Sequence, residues 1–243
     1  MIHSLINETD APPSRNDPCT VKPVPSPVLE VRNLSVRFGR TPVFEKIDLA
    51  VPPRSAVAVL GPSGKGKSTL LRCINRLLDD VPGAKVSGEI HFHGTNILGP
   101  AVDADALRAR IGMLFQQPQV FPTTIEKNVL FGVSRLRKVS RRERPALVEH
   151  CLREAALWEQ VRDRLKEPAG ILSIGQQQRL CLARTLANNP EVILLDEPTS
   201  ALDTETTAAI EDTFLRLKRA RSLILVTHDP RQAARLGDHQ LRL

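Results

Sequence analysis

The sequence is poor in aromatic residues and has no long apolar run. Its 243 residues include no Tyr, one Trp and seven Phe, so a core built from them must be mainly aliphatic. No stretch approaches the roughly 18 consecutive apolar residues of a membrane span, and the N-terminus lacks the basic and apolar regions of a secretion signal. If the chain serves a membrane process, we expect another polypeptide to supply the membrane part.

Cysteine is scarce, and acidic residues are outnumbered by basic ones. The four cysteines lie far apart without metal-ligand spacing, and some fall in apolar helical patterns, which favours buried free thiols in a reducing cytosol. The net charge of +7 permits nucleic acid, an anionic membrane surface or acidic partner loops. The basic run at 135–144 is typical of a solvated face and has no interleaved aromatic residues to stack on bases, so no nucleic-acid partner is expected.

Proline is abundant at one place only, the N-terminus. Residues 1–27 combine prolines with polar residues, which predicts a disordered Pro-rich tail, more simply a dispensable extension than a docking segment. The remaining residues, 28–243, suit one large domain.

One loop organises the rest of the chain. Residues 61–69 read GPSGKGKST and follow a short apolar run at 56–60, while the leucine spacing over 70–78 is helical. A Gly-rich loop between a strand and a helix binds phosphate through its backbone N–H groups, and its lysine and serine reach the β- and γ-phosphates and Mg²⁺. The residues predicted to bind a nucleoside triphosphate are Gly61, Pro62, Ser63, Gly64, Lys65, Gly66, Lys67, Ser68 and Thr69.

Alternating patterns and a helix-rich stretch surround this loop. Alternation at 28–38, 43–51 and 86–92 predicts strands, the first two antiparallel. Phe38 could stack on adenine or simply belong to the core, and its spacing does not decide between the two. A short helix at 104–110 and a strand at 111–115 precede residues 117–189, which predict an inserted helical subdomain.

Polar residues follow several predicted parallel strands. Asp196 and Glu197 follow the apolar run at 192–195, His228 follows the run at 223–226, and Gln116 follows the run at 111–115. Asp196 can hold Mg²⁺ and Glu197 can orient or deprotonate a water, although a helix-capping acid pair is the structural alternative. Because parallel sheets bind ligands at their C-terminal edge, we expect these residues to converge beside the phosphate loop.

A further predicted helix, from Ser173 to about Asn189, begins with the capping box of Ser173 and Gln176. That box explains the spacing without a function. The same helix start, with Ser and Gly, could also bind an anion. Because the chain already has one phosphate loop, that function would require a second molecule.

Together these motifs resemble the nucleotide-binding subunit of ABC transporters over residues 28–240. The resemblance rests on GPSGKGKST, Gln116, LSIGQQQ (172–178), LLDEP (194–198), SALD (200–203) and His228. It implies an α/β fold of ABC ATPase type: a P-loop NTPase core with a mostly parallel sheet, an antiparallel β subdomain and an inserted helical subdomain at about 117–189. Two subunits would dimerise head to tail, with each ATP between the phosphate loop of one and the signature motif, LSIGQ at 172–176, of the other.

The resemblance also implies a role for each matched residue. Glu197 would be the general base, His228 would contact the γ-phosphate, and Gln116 would sense Mg²⁺ and the attacking water. Phe38 would stack on adenine, and Asp203 would lie in the loop that couples the two sites. The Mg²⁺ ligands would be Ser68, Gln116 and Asp196, and the residues that serve the ATP of the partner would be Ser173, Gly175 and Gln176.

Longer stretches, at 75–90, 102–118, 121–132, 153–165 and 176–184, are similar to the phosphate-importer branch of these ATPases. This similarity implies an ATPase homodimer, peripheral on the cytoplasmic face of the plasma (inner) membrane, with two transmembrane permease subunits and a solute-binding protein. An importer ATPase for another solute, a soluble ABC ATPase acting on nucleic acid, and a regulatory ATP-binding module remain alternatives.

Three features depart from the family pattern. Ile174 stands where the family usually has Gly, and it would be strained if that position required positive φ, although we expect a working site. The loop after Gln116 reads QPQVFP, without the second Pro that is typical before Phe. Only fifteen residues follow His228, so we expect fewer closing strands than usual.

Overall fold

The computed structural model describes residues 26–133 and 139–243, which form an α/β fold built on two sheets. The strands are β1 (Leu29–Phe38), β2 (Thr41–Val51), β3 (Ala56–Leu60), β4 (Ala84–Phe92), β5 (Thr95–Asn96), β6 (Ile111–Leu114), β7 (Val192–Asp196), β8 (Ser222–Thr227) and β9 (His239–Arg242). The helices are α1 (Lys67–Ile74), α2 (Ala104–Arg110), α3 (Ile125–Leu130), α4 (Arg144–Glu154), α5 (Trp158–Val161), α6 (Ile174–Leu186), α7 (Thr204–Lys218) and α8 (Pro230–Leu236), with 3-10 turns at Arg162–Arg164 and Ala169–Ile171. Most of the predicted tail, Cys19 and part of the basic run lie outside the described residues.

The two sheets have different strand directions, as the sequence predicted. One is antiparallel, with strand order β2-β1-β4-β5, and the other is parallel, with order β6-β7-β8-β3-β9. The closing strand β9 was not predicted, and it pairs with β3 near the end of the chain. The phosphate loop therefore leaves the sheet from a strand that is paired on both sides.

The parallel sheet is covered on both faces by aliphatic side chains. Val57 and Val59 of β3 belong to the core shared with the antiparallel sheet and α1. Ile193 and Leu195 of β7 face the opposite core, which they share with α3, α4 and α6. This burial on two faces explains why the parallel strands read as continuous apolar runs rather than as alternating ones.

Three buried cysteines confirm the prediction of free thiols for the described part of the chain. Cys73, Cys151 and Cys181 are buried and not in disulfides. Burial raises the pKa of the Cys73 thiol to about 12, so this side chain stays protonated and behaves as a small apolar group.

The helix after the phosphate loop ends earlier than its leucine spacing predicted. It ends at Ile74, because Arg76 adopts a left-handed φ of 55°. The Leu77 N–H then donates to the Arg72 carbonyl and the Arg76 N–H to the Cys73 carbonyl, which is the Schellman arrangement. Leu78 is still buried, so the apolar period continues into a turn where the helix does not.

Two further helices end shortly before a residue with a left-handed φ. The helix α4 ends at Glu154, because Ala156 has a φ of 53° and the same Schellman bonds. The helix expected to reach about Asn189 ends at Leu186, and Asn189 has a φ of 50°. In the described part of the chain, no helix combines the length and apolarity needed to cross a membrane.

Candidate active site

The phosphate loop joins β3 to α1 through two glycines in the left-handed region. Gly64 and Gly66 have φ angles of 81° and 86°, which other residues adopt only with strain. A Cβ atom on Gly66 would also lie 2.6 Å from Val43 Cγ1 and 2.9 Å from Phe44 Cδ1. The loop therefore turns directly against β2 of the antiparallel sheet, and only glycine fits there.

Lys67 is the charged group of this loop. It is almost fully buried, and its ammonium donates to the Gly61 carbonyl at 2.7 Å and to the Pro62 carbonyl at 3.0 Å. An ammonium has three protons, so these two carbonyl groups leave one for a phosphate oxygen. The first residues of α1 add backbone N–H groups and the positive end of the helix dipole.

Ser68 and Asp196 connect the phosphate loop to β7. Ser68 Oγ donates to Asp196 Oδ1 at 2.6 Å, and the Asp196 side chain is buried. Burial raises the pKa of Asp196, although the hydrogen bond from Ser68 lowers it. The two residues line an open cleft of ≈ 320 Å³ together with Gln116. Their hydroxyl, carboxylate and amide groups supply the oxygen ligands that Mg²⁺ prefers, so they fit that cation.

Gln116 also contacts the loop that follows the predicted catalytic acid. Its Nε2 donates to Ser200 Oγ at 3.3 Å. Gln178 of α6 donates to the Phe115 carbonyl at 3.0 Å, which fixes the backbone beside Gln116 from the helical side. Gln116 therefore lies where the helical region, β6 and the loop at 198–203 meet.

Glu197 and His228 form a pair at the ends of β7 and β8. The Glu197 N–H donates to the Val226 carbonyl at 3.0 Å, and the residue has a left-handed φ of 43°. His228 Nδ1 lies 3.1 Å from Glu197 Oε2. The two side chains line an open cleft of ≈ 200 Å³. Positive φ in a non-glycine residue is costly, so the surrounding contacts must hold Glu197 in this orientation.

The signature motif forms the start of α6. Ser173 is its N-cap and makes the predicted capping box with Gln176, whose Nε2 donates to Gln160 Oε1 at 3.1 Å. Ile174 is the first helical residue, is 54% exposed and does not have a positive φ. The strain considered for Ile174 therefore does not arise. A Cβ on Gly175 would lie 2.5 Å from Thr206 Cγ2, so α7 requires glycine there.

Asp203 has a structural role that the sequence did not reveal. It is the N-cap of α7, where its carboxylate accepts from the Thr206 N–H at 2.8 Å and from the Thr206 hydroxyl at 2.7 Å. These hydrogen bonds lower the pKa of Asp203. Asp203 thus holds the threonine that packs against Gly175. Phe38, the residue predicted to stack on adenine, is the last residue of β1 and is 36% exposed.

The predicted residues therefore form two groups. The phosphate loop, Gln116, Asp196, Glu197 and His228 meet at the C-terminal edge of the parallel sheet, as expected. The signature motif contacts Gln160 and Thr206 instead of this group. Residues that contact the predicted ones and carried no sequence signal are Thr199, Thr206, Glu211 and Gln232. Gln178 and Ser200 lie in quoted motifs, but the sequence assigned them no individual part.

The fold and this site define a P-loop ATPase. The chain belongs to the ABC transporter family, whose model matches residues 44–200. It is 47% identical over 211 residues to the Phosphate import ATP-binding protein PstB 1 of Vibrio parahaemolyticus serotype O3:K6 (strain RIMD 2210633), an alignment that covers 87% of this chain and 78% of that protein. As in that family, the chain is an ATPase subunit with an antiparallel and a parallel sheet.

Two solved structures have similar folds. The structure of cbiO1 from Clostridium perfringens, part of the ABC transporter complex cbiONQ, matches with a TM-score of 0.77 and 27% identity, covering 89% of this chain and 84% of that chain. The structure of a bacterial Atm1-family ABC exporter with ATP bound matches with a TM-score of 0.75 and 29% identity over 92% of this chain. This chain spans 39% of the exporter chain.

Proposed function

We propose that the chain is the ATP-hydrolysing subunit of an importer for inorganic phosphate. The observation that carries the chemistry is the meeting of the phosphate loop, Asp196, Glu197 and His228 at one edge of the sheet. The solute is inferred from the 47% identity to a phosphate import ATP-binding protein. ATP binding and hydrolysis would be coupled to transport through separate membrane subunits.

ATP and Mg²⁺ are the substrate and the cation that suit these residues. Lys67 and the N–H groups at the start of α1 would hold the phosphates, while Ser68, Gln116 and Asp196 would hold the cation. When bound, Mg²⁺ supplies positive charge to the β- and γ-phosphate oxygens. Phe38, exposed at the end of β1, would stack on the adenine ring.

Glu197 would act as the general base. Its carboxylate would take a proton from the attacking water as the oxygen of that water bonds to the γ-phosphorus, while the bond from that phosphorus to the β–γ bridging oxygen breaks and ADP leaves. His228, with Nδ1 at 3.1 Å from the carboxylate, would hold Glu197 in position and reach toward the γ-phosphate. Most of the rate would come from positioning and electrostatics, because phosphoryl transfer needs little covalent participation by the protein.

A second copy of the chain would complete each site. The hydrogen bonds of Ser173 are with Gln176, Gln176 also bonds to Gln160, and Gly175 packs against Thr206, so these residues face away from the phosphate loop of their own chain. The start of α6 nevertheless offers N–H groups and a positive helix end to an anion. A head-to-tail homodimer would bring this helix start to the ATP of the other subunit, and Asp203 would lie in the loop between the two sites.

A groove beside the Gln116 loop is suited to a membrane partner. It is an open cleft of ≈ 270 Å³ with Phe115, Phe121 and Phe131 among its lining residues. Phe121 and Phe131 stack with their ring centroids 4.0 Å apart, and the Arg184 guanidinium lies 4.6 Å above Phe121. We infer that this groove, in each copy of the ATPase homodimer, binds a segment of one of the two permease subunits. The ATPase would then be peripheral on the cytoplasmic face of the plasma (inner) membrane, with a solute-binding protein on the other side.

Uptake of labelled phosphate tests the proposal. Cells that lack this gene would be compared at low external phosphate with cells rescued by the wild type or by Glu197→Gln. We expect uptake to return only with the wild type. Unchanged uptake after deletion, in cells without a second phosphate importer, would contradict phosphate as the solute. Wild-type protein that hydrolyses ATP would then point to an importer of another solute.

A further inference from the structure

A buried polar side chain of α8 contacts the loop that follows Glu197. We propose that Gln232 is a positioning residue for ATP hydrolysis, and that it acts through Thr199. This inference rests on the proposed function, because it assigns a part in hydrolysis to a residue outside the phosphate-binding motifs. Gln232 is 5% exposed, and its contacts account for why an amide is buried there.

The Gln232 amide of α8 connects that helix to α7 and to the loop that follows Glu197. Its Nε2 donates to Thr199 Oγ1 at 2.7 Å and to Glu211 Oε1 of α7 at 2.9 Å. Glu211 is buried as well, and its other oxygen accepts from the Arg235 guanidinium at 2.7 Å. The Gln232 amide nitrogen and both Glu211 carboxylate oxygens therefore have hydrogen-bond partners, as buried polar groups require.

The series of hydrogen bonds has one direction. The Glu211 carboxylate can only accept, so it fixes the amide of Gln232 with its nitrogen toward Glu211 and Thr199. Thr199 Oγ1 therefore accepts from Gln232, and its own proton is left to point elsewhere. Thr199, Gln232 and Glu211 line the same open cleft as Glu197 and His228. The hydroxyl is thus held with a defined polarity beside the proposed base.

Thr199 is the centre of the turn that carries the base. The Ser200 N–H donates to the Glu197 carbonyl at 3.2 Å, and the Leu202 N–H donates to the Thr199 carbonyl at 3.1 Å. Ser200 in turn accepts from Gln116. A shift of Thr199 would therefore move residues on both sides of it, including Glu197 with its unfavourable φ of 43°.

The same helix also follows His228 directly. Asp229 is the N-cap of α8, so His228 lies immediately before the helix that contains Gln232. The bond between Gln232 and Thr199 consequently ties the chain after Glu197 to the chain after His228. It helps to set the separation of 3.1 Å between the two chemical groups.

The test separates hydrolysis from ATP binding in the purified full-length chain. Thr199→Val keeps the shape of the side chain but removes the acceptor, and Gln232→Leu removes the donor. We expect Thr199→Val to lower kcat roughly three- to tenfold, which is the effect of one lost neutral hydrogen bond. Gln232→Leu also removes the bond to Glu211, so it should lower kcat at least as much. In both variants KM and the affinity for a fluorescent ATP analogue should be unchanged. Thr199→Ser, which retains the hydroxyl, should recover most of kcat.

The double variant and a surface control complete the experiment. Because both single variants break the same bond, Thr199→Val combined with Gln232→Leu should lower kcat no further than the worse single variant. Ala234→Ser, at an exposed position of α8, should behave as the wild type. If Gln232→Leu misfolds by circular dichroism, the Thr199 pair alone decides.

Two results would overturn the inference. One is an unchanged kcat for Thr199→Val in a folded protein. The other is a rise in KM and a loss of ATP affinity by the same factor as the fall in kcat. Wild-type hydrolysis that is abolished by Glu197→Gln but unaffected by Thr199→Val would leave the proposed function intact and remove only this inference. A wild type that does not hydrolyse ATP would overturn both.

Discussion

Ser68 Oγ donates a hydrogen bond of 2.6 Å to Asp196 Oδ1, and this bond joins the phosphate loop to the end of β7, which lies two strands from β3 in the sheet. Asp196 is buried, and desolvation raises its pKa despite the bond from Ser68. A carboxylate that is costly to ionise gains most when a cation binds to it. The protein thus maintains, at the cost of stability, a group that suits Mg²⁺.

Asp196→Asn should therefore stabilise the nucleotide-free protein and abolish hydrolysis. Because the folded-state pKa lies above the unfolded value, the ionised carboxylate lowers stability at neutral pH, and this loss disappears as the pH falls toward the unfolded pKa. We expect the Tm of the variant to exceed that of the wild type by a few degrees at pH 7, with a smaller difference near pH 4. Thermal unfolding at both pH values checks this, and a lower Tm at pH 7 would contradict it.

Glu197→Gln should retain ATP binding but lose turnover. A positioned general base contributes about 10²–10⁴-fold, so kcat should fall by this factor while the affinity for ATP stays within about twofold. Light scattering should then detect a dimer with ATP and a monomer without it. Glu205→Gln, an exposed acid in the first turn of α7, is the matched control. Substantial steady-state hydrolysis by Glu197→Gln would exclude Glu197 as the base.

The convergence of the site was predictable because it follows from local patterns. Polar residues lie at or just after the ends of β6, β7 and β8, and parallel strands end at the same edge. The capping box of Ser173 and Gln176 was predictable for the same reason, since capping depends on residues three apart.

Other features depend on contacts between distant segments and left no local pattern. Thr199 and Gln232 are 33 residues apart, and nothing in either neighbourhood indicates their bond. The early end of α1 depends on the left-handed Arg76, whose guanidinium bonds to Asp79 and to the Val102 carbonyl. Residues other than Gly and Asn rarely form such caps, so the sequence predicted a longer helix.

Ile174→Ala should have little effect on stability. Ile174 has no positive φ, and its side chain is 54% exposed at the first position of α6. We expect the free energy of unfolding to change by less than about 0.5 kcal/mol and kcat to change less than tenfold. Ile171→Ala, at a neighbouring position with 55% exposure, is the control. A much larger kcat in Ile174→Ala alone would mean that this isoleucine obstructs the signature motif.

Gly175 is a position where the structure permits no side chain without movement. Its missing Cβ would lie 2.5 Å from Thr206 Cγ2, and Thr206 is held by two hydrogen bonds to Asp203. Since the threonine is fixed by the cap of α7, it cannot easily turn away. The contact between α6 and α7 is therefore set jointly by Gly175, Thr206 and Asp203.

Gly175→Ala should consequently destabilise the protein by about 1–3 kcal/mol, as overpacking does, and lower ATP hydrolysis. Thr206→Ser removes Cγ2 but keeps the hydroxyl that bonds to Asp203. Because it removes the atom that clashes, the double variant should recover much of the stability lost in Gly175→Ala. Gly170→Ala, where a Cβ would have no neighbour within 4 Å, is the control and should be tolerated. Urea unfolding of the four variants measures this coupling, and additive free energies would show that the clash is not the cause.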